Sequence, residues 1–166
     1  MRVLKIEGRA RGAEYVKRVV ECYDEALRAL EAGTYSPEWA QGLKTRLAEV
    51  FNRGFWQGYY AGKPTAELSE NYGSGATHRK VYVGKVTNFY KKISVAEVLV
   101  EAAPLKQGER ILWMGETTGC VEQIAERIHL TDSPVEEVKQ GQLCAIQCAE
   151  LIRRGDKLYK LESINQ

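Results

Sequence analysis

The sequence predicts an α+β protein: an N-terminal strand and a helical hairpin, followed by a six-stranded antiparallel small β-barrel. Two observations favour this fold class. Apolar residues recur at helical spacing in the first part of the chain, whereas from Lys80 onward apolar and polar residues alternate between glycine-containing turns. We therefore divide the chain into residues 1–70, a linker at residues 71–79 and a barrel at residues 80–166.

The chain opens with a short hydrophobic strand at residues 3–6, which runs directly into Glu7-Gly8-Arg9. A strand of this kind normally pairs within a larger sheet, and the pattern predicts no other strand in residues 1–70. We therefore expect it to close a larger domain, with this chain as the C-terminal part of a longer protein.

Two amphipathic helices follow this strand. In the first, apolar residues repeat every three or four positions over residues 16–30, and Gly33 provides the stop. The second begins at Ser36-Pro37-Glu38, where a serine cap, a proline at the first helical position and an acid in the first turn coincide. Its apolar stripe covers residues 39–50 and Gly54 ends it, so the two helices form a hairpin.

Six runs in which apolar and polar residues alternate predict the barrel, and turn sequences separate one run from the next. Short antiparallel strands of this kind favour a closed barrel, because closure removes the exposed edges of the sheet. The strands are expected at residues 81–88, 95–100, 110–114, 120–130, 143–149 and 157–161.

Composition limits the classes of protein. Apolar residues make up 44% of the chain, no signal peptide is recognised and no apolar run is long enough to span a membrane, so we expect a cytoplasmic protein. Cys144 and Cys148 share one strand face with Ile146, which predicts buried thiols. No C-x-x-C pair occurs and two histidines are present, so we expect neither a metal site nor a cofactor in this chain.

Two sets of motifs resemble a known family. Residues 4–9, Glu14-Tyr15-Val16 and Phe51-Asn52-Arg53-Gly54-Phe55-x-x-Gly58-Tyr59 resemble the segment that closes the catalytic domain of the collagenase-like peptidases, peptidase family U32. Val81-Tyr82-Val83-Gly84-Lys85-Val86 and Gly155-Asp156-Lys157-Leu158-Tyr159 are similar to a translation-factor-like β-barrel that some members carry, related to the second domain of elongation factor Tu. The iron–sulfur cysteines of relatives have no counterpart among the four cysteines here.

The resemblance implies that residues 4–9 form a late strand of a TIM-like barrel. It also implies one of two activities, since some members of the family act as peptidases and others hydroxylate tRNA or rRNA using prephenate. On that basis Glu7 and Arg9 are the candidate active-site residues, Arg9 gripping an acidic substrate through its guanidinium. The alternative is a local ion pair or a contact at the entry to the first helix.

Five basic residues are candidates for contacts with RNA phosphates: His78, Arg79, Lys80, Lys91 and Lys92. The alternative is a solvated linker and hairpin tip, since the net charge of +2 favours no nucleic-acid partner by itself.

The aromatic residues Phe55, Trp56, Tyr59 and Tyr60 either stack on bases or fill the junction between the helices and the catalytic barrel.

Three functions remain open at this point. The first is an accessory region that recruits substrate for a parent protein, with the rest of the catalytic domain and tRNA or rRNA as partners. The second is a peptidase acting on protein substrates. The third is a structural module that forms homo-oligomers through its N-terminal strand and its uncovered helix faces.

Overall fold

The structure of the chain is a computed structural model, which describes residues 3–55 and 73–164. These residues fall into two compact units. The β unit comprises Arg79–Ser163, and the rest of the described chain forms the helical unit. β1, the first strand, starts at His78, inside the segment predicted to be a linker.

The two predicted helices are present in the helical unit, as α1 (Ala13–Glu31) and α2 (Pro37–Ala48). The serine cap is confirmed, because the Ser36 hydroxyl accepts a hydrogen bond from the Trp39 backbone N–H at 3.1 Å. An ion pair joins the helices, with the Arg46 guanidinium donating to both carboxylate oxygens of Glu25 at 2.8 and 2.6 Å. The hydrogen bond to Arg46 is the main reason that the pKa of Glu25 lies below its ordinary value.

The prediction of an N-terminal strand is wrong for the residues that the structure describes. Residues 3–8 have no regular secondary structure. A strand needs a neighbour to accept and donate its backbone hydrogen bonds, and the helical unit supplies none in its described residues. The segment ends in a tight turn in which the Arg11 N–H donates to the Gly8 carbonyl at 3.0 Å.

Strands make up the β unit, most of them short. They are β1 (His78–Tyr90), β2 (Val95–Val100), β3 (Leu105–Lys106), β4 (Arg110–Gly115), β5 (Gly119–Ile124), β6 (Ile128–Leu130), β7 (Ser133–Pro134), β8 (Glu137–Val138), β9 (Leu143–Gln147) and β10 (Lys157–Ser163).

The α+β class is confirmed, but the closed six-stranded barrel is wrong. The main sheet is open and has eight strands in the order β5-β4-β10-β1-β2-β9-β6-β7, and β3 pairs with β8 in a separate two-stranded sheet. The strand predicted at residues 120–130 is broken into β5 and β6. The Ala125 N–H still donates to the Glu109 carbonyl in register with β4, and the Glu126 N–H then turns back to the Ile124 carbonyl, both at 2.9 Å, so the chain leaves β4 at this point.

The core of the β unit is one cluster of buried residues that several strands contribute. Trp113 and Ile146 at its centre are fully buried. The predicted burial of Cys144 and Cys148 beside Ile146 is confirmed, and burial raises the pKa of Cys144 to about 12 and that of Cys148 to about 11. Their partners include Val83, Val86, Ala96, Val98, Val100, Leu105, Ile111, Val121, Ile128, Val138, Ile152 and Leu158.

Among the described residues, no helix combines the length and the apolar character that crossing a membrane would require.

Candidate functional site

A polar groove in the helical unit is the candidate site. Its volume is ≈ 440 Å³, within the range of clefts that hold small ligands. Its walls come from the segment before α1, from α1 itself and from the loop that follows α2. The lining residues are Glu7, Arg11, Tyr15, Val19, Tyr23, Leu47, Val50, Phe51, Asn52, Arg53, Gly54 and Phe55.

Two guanidinium groups lie over one aromatic ring in this groove. The guanidinium carbon of Arg11 is 3.5 Å from the centroid of the Phe51 ring, and that of Arg53 is 5.9 Å away. Cations over an aromatic face are attracted by the ring quadrupole, by about 0.5–1 kcal/mol at exposed sites. A stacked guanidinium still presents its N–H groups at the edge of its plane, where a carboxylate or phosphate can accept two of them.

A strained turn carries Arg11 to the ring. The turn joins Gly8 to Arg11, and within it Ala10 has a φ of 60°, a left-handed conformation unusual for alanine. Gly8 packs closely on α1, since a Cβ at this position would lie 2.7 Å from a methyl group of Val16. Together these features fix where the chain enters α1, and therefore where Arg11 points.

Asn52 holds the loop that carries Phe51 and Arg53. Its side-chain amide donates to the Ala48 and Val50 carbonyls at 3.3 and 3.0 Å, and its side-chain oxygen accepts from the Gly54 N–H at 3.2 Å. The Asn52 carbonyl also accepts from the Gly75 N–H at 2.8 Å. One side chain thus satisfies the end of α2 and fixes the following turn.

The charges of the groove do not neutralise one another. In residues 3–55 and 73–164, no ion pair or side-chain hydrogen bond involves Glu7, Arg11 or Arg53. All three are exposed. Two cations and one anion therefore face the groove, beside apolar walls from the helices and from Phe51. This arrangement suits a ligand that has an acidic group next to an apolar body.

Only part of this site was predicted. Glu7 lines the groove, but Arg9 is not among its lining residues and lies exposed in the turn before α1. The ion pair considered as an alternative for these two residues does not form in the described chain. Sequence reasoning missed Arg11 and Phe51 as a pair, and treated Arg53 only as part of a motif. The signal was the aromatic–Asn–Arg–Gly sequence directly after a helix.

The five candidate RNA contacts do not form one surface. His78, Arg79 and Lys80 begin β1, whereas Lys91 and Lys92 lie in the turn just after it, up to roughly 36 Å from Lys80 at about 3.3 Å per residue. The strand therefore separates the two groups.

The environments of these residues also differ. Arg79 pairs with Glu162 at 2.9 Å, and the Lys80 ammonium lies 5.4 Å from the Tyr159 ring centroid. Lys91 and Lys92 are exposed. Of the predicted aromatic motif, Phe55 lines the groove, while Trp56, Tyr59 and Tyr60 lie outside the described residues.

Comparison with known proteins identifies the helical part. The model of peptidase family U32 matches residues 1–70, which include every residue lining the groove. These residues belong to peptidase family U32. The family resemblance inferred from the motifs is thereby confirmed, whereas the likeness to elongation factor Tu stays a prediction.

Curated relatives match nearly the whole chain. A collagenase of Porphyromonas gingivalis strain W83 is 45% identical over 162 residues, which are 98% of this chain and 39% of the relative. A second collagenase of Porphyromonas gingivalis is 44% identical, and the match covers 98% of this chain and 45% of the relative. An uncharacterized protease of Methanocaldococcus jannaschii is 37% identical over 165 residues, and the match covers 95% of this chain and 39% of the relative. The chain thus spans 39–45% of the length of these relatives.

A solved structure, titled as the C-terminal domain of a U32 peptidase of Geobacillus thermoleovorans, also matches. It aligns with a TM-score of 0.45 and 15% identity, over 48% of this chain and 90% of that one.

Proposed function

We propose that this chain is the C-terminal, substrate-recruiting region of a U32-family protein, and that the groove holds an acidic group of a protein substrate. The observation that carries the proposal is the placement of Arg11 and Arg53 over the Phe51 ring in an open groove. Exposed guanidinium groups bind carboxylates in pairs of parallel hydrogen bonds. The names of the relatives, collagenase and protease, support a protein as the substrate.

The partner of this region would be the remainder of the family's catalytic domain. α1 carries an exposed apolar stripe beside its buried residues Val19, Cys22 and Ala29, and the relatives are more than twice as long as this chain. Apolar stripes of this length on a helix usually pack against another element. The stripe consists of Val16, Val20, Tyr23, Leu27 and Leu30, each at least 38% exposed.

Binding of gelatin, denatured collagen, tests the proposed recruitment. We expect the chain to bind immobilised gelatin in low salt, and Arg53→Gln to weaken binding about tenfold by removing one charge-assisted contact. Arg28→Gln is the matched control, because Arg28 lies on α1, pairs with Asp24 and does not line the groove. Equal binding by both variants would refute the role of the groove. Cleavage of gelatin by the chain alone would favour the peptidase function over recruitment.

A second candidate function is contact with tRNA or rRNA, as in RNA-hydroxylating relatives. It is favoured by the turn between β1 and β2, where exposed Lys91 and Lys92 are flanked by Tyr90 and Ile93, which are 44% and 62% exposed. Lysines contact phosphates and an exposed aromatic ring can stack on a base. Binding of tRNA that weakens steeply with salt, and further in Lys91→Gln/Lys92→Gln, would support this function. No binding at low salt would exclude it.

A further inference from the structure

We infer that the groove recognises a short peptide with both ends free, taking its carboxylate at Arg11 and Arg53 and its ammonium at Glu7. This inference rests on the proposed function, since it assigns a ligand class to the same groove. The ligand class is a small apolar dipeptide. A longer protein segment would use the same arginines through an acidic side chain, and would need a basic side chain as well to satisfy Glu7.

The composition of the groove carries the first step. A site for simple anions gains nothing from a carboxylate in its wall, because Glu7 repels the ligand. Glu7 nevertheless lines the groove together with Arg11 and Arg53, four residues before Arg11 and across the turn that Ala10 completes. A ligand that carries one negative and one positive group satisfies both signs of charge.

The walls and the volume carry the second step. Besides the charged groups, the groove is lined by the rings of Tyr15, Tyr23 and Phe51 and the aliphatic side chains of Val19 and Leu47. These surfaces favour apolar ligand side chains through burial. A volume of ≈ 440 Å³ suits a ligand of small-molecule size and not a folded partner.

The fixed geometry of the arginines carries the third step. The Arg11 guanidinium carbon lies 3.5 Å from the centroid of the Phe51 ring, and the backbone of the loop that carries Arg53 is anchored by Asn52. Side chains that are already positioned lose less conformational freedom when a ligand binds, which lets a small ligand be held by few contacts. A carboxylate is the smallest group that matches a planar guanidinium with two hydrogen bonds.

Calorimetric titration of the full chain with four ligands tests this inference. The ligands are leucyl-phenylalanine, its N-acetyl derivative, its C-terminal amide and inorganic phosphate. We expect the free dipeptide to bind about tenfold more tightly than either blocked form, because each blocking group removes one charged contact. Phosphate should bind more weakly than the dipeptide, since it has no ammonium for Glu7 and no apolar body.

Two substitutions assign the two ends separately. Glu7→Gln should remove the preference over the N-acetyl form and keep the preference over the amide. Arg53→Gln should reduce the preference over the amide, because Arg11 remains, and keep the preference over the N-acetyl form. Arg28→Gln should change neither preference. Both test residues are exposed, so the variants are expected to fold, and circular dichroism checks this.

The outcomes separate this inference from the proposed function. Equal binding of the free and blocked dipeptides, phosphate binding as tight as the dipeptide, or no dipeptide binding at about 10 mM would each overturn it. If gelatin binding still depends on Arg53 in any of those cases, recruitment through the groove survives and the ligand is an internal acidic side chain. Loss of both kinds of binding would overturn both proposals.

Discussion

A close approach of two backbones in the β unit allows a quantitative test of the sheet. Gly84 on β1 lies opposite Val100 on β2, and a Cβ added at Gly84 would be 2.0 Å from the Leu99 carbonyl oxygen. The same Cβ would be 2.9 Å from the Leu99 carbonyl carbon. The obstacle is backbone and not a flexible side chain, so Gly84→Ala must push the two strands apart.

The cost follows from the contacts at this point. Overpacking typically costs 1–3 kcal/mol, and separation of the strands also weakens the hydrogen bonds from Glu101 and Ala102 to the Val83 carbonyl, at 2.9 and 3.0 Å. Since each such bond contributes about 1 kcal/mol, we expect Gly84→Ala to lower the free energy of unfolding of the β unit by about 3 kcal/mol.

Hydrogen exchange of the β2 amides measures this effect. The Val100 N–H, which donates to the Gln142 carbonyl at 2.9 Å, should exchange on the order of 100-fold faster in the variant. Gly42→Ala is the control: it makes the same change in the interior of α2, where nothing lies within 4 Å of the new Cβ. It should stabilise the helix by about 1 kcal/mol. An unchanged exchange rate in Gly84→Ala would refute the register of β1 and β2.

Three further predictions concern single side chains. Asn52→Ala should lower stability by about 1–2 kcal/mol in thermal unfolding and weaken gelatin binding, because the loop after α2 loses its anchor; unchanged binding would contradict this. Cys144 and Cys148, with pKa values raised to about 12 and 11, should react with a thiol reagent at pH 8 only after unfolding, and rapid labelling of the native protein would contradict their burial. The lowered pKa of Glu25 contributes stability above about pH 4.5 that is lost as the pH falls further. Glu25→Gln should therefore make the stability of the α1–α2 pair depend less on pH in the acid range. An unchanged dependence on pH would show that the ion pair with Arg46 adds no stability.

The parts of the fold set by neighbouring residues could be predicted from the sequence. The start of α2 depends on Ser36 and the three residues that follow it, so the cap was visible in the sequence. The strand at residues 120–130 was predicted without its break, because its first part pairs with β4 and its last part with the distant β9. The prediction of a strand at residues 3–6 was wrong for the same reason, since a strand forms only where a neighbouring strand pairs with it.

The candidate site shows the same division. Glu7 was singled out because the family resemblance places its motif near an active site, and it does line the groove. Arg11 and Phe51 are forty positions apart, and their contact at 3.5 Å exists only because the turn before α1 meets the loop after α2. The motif containing Arg53 was recognised, but its role in a groove depends on Asn52 fixing the loop. Residue types could be read from the sequence, and their convergence could not.

The central claim is that substrate binds in the groove, and NMR of the arginine Nε–Hε groups tests it most directly. Titration with a soluble gelatin hydrolysate should shift the signals of Arg11 and Arg53 together, with one common affinity, and leave Arg28 unmoved. Arg28 reports non-specific attraction because its guanidinium is paired with Asp24 at 2.9 Å on the surface of α1. Equal shifts at Arg28, or unmoved signals for Arg11 and Arg53 at saturation, would contradict the account.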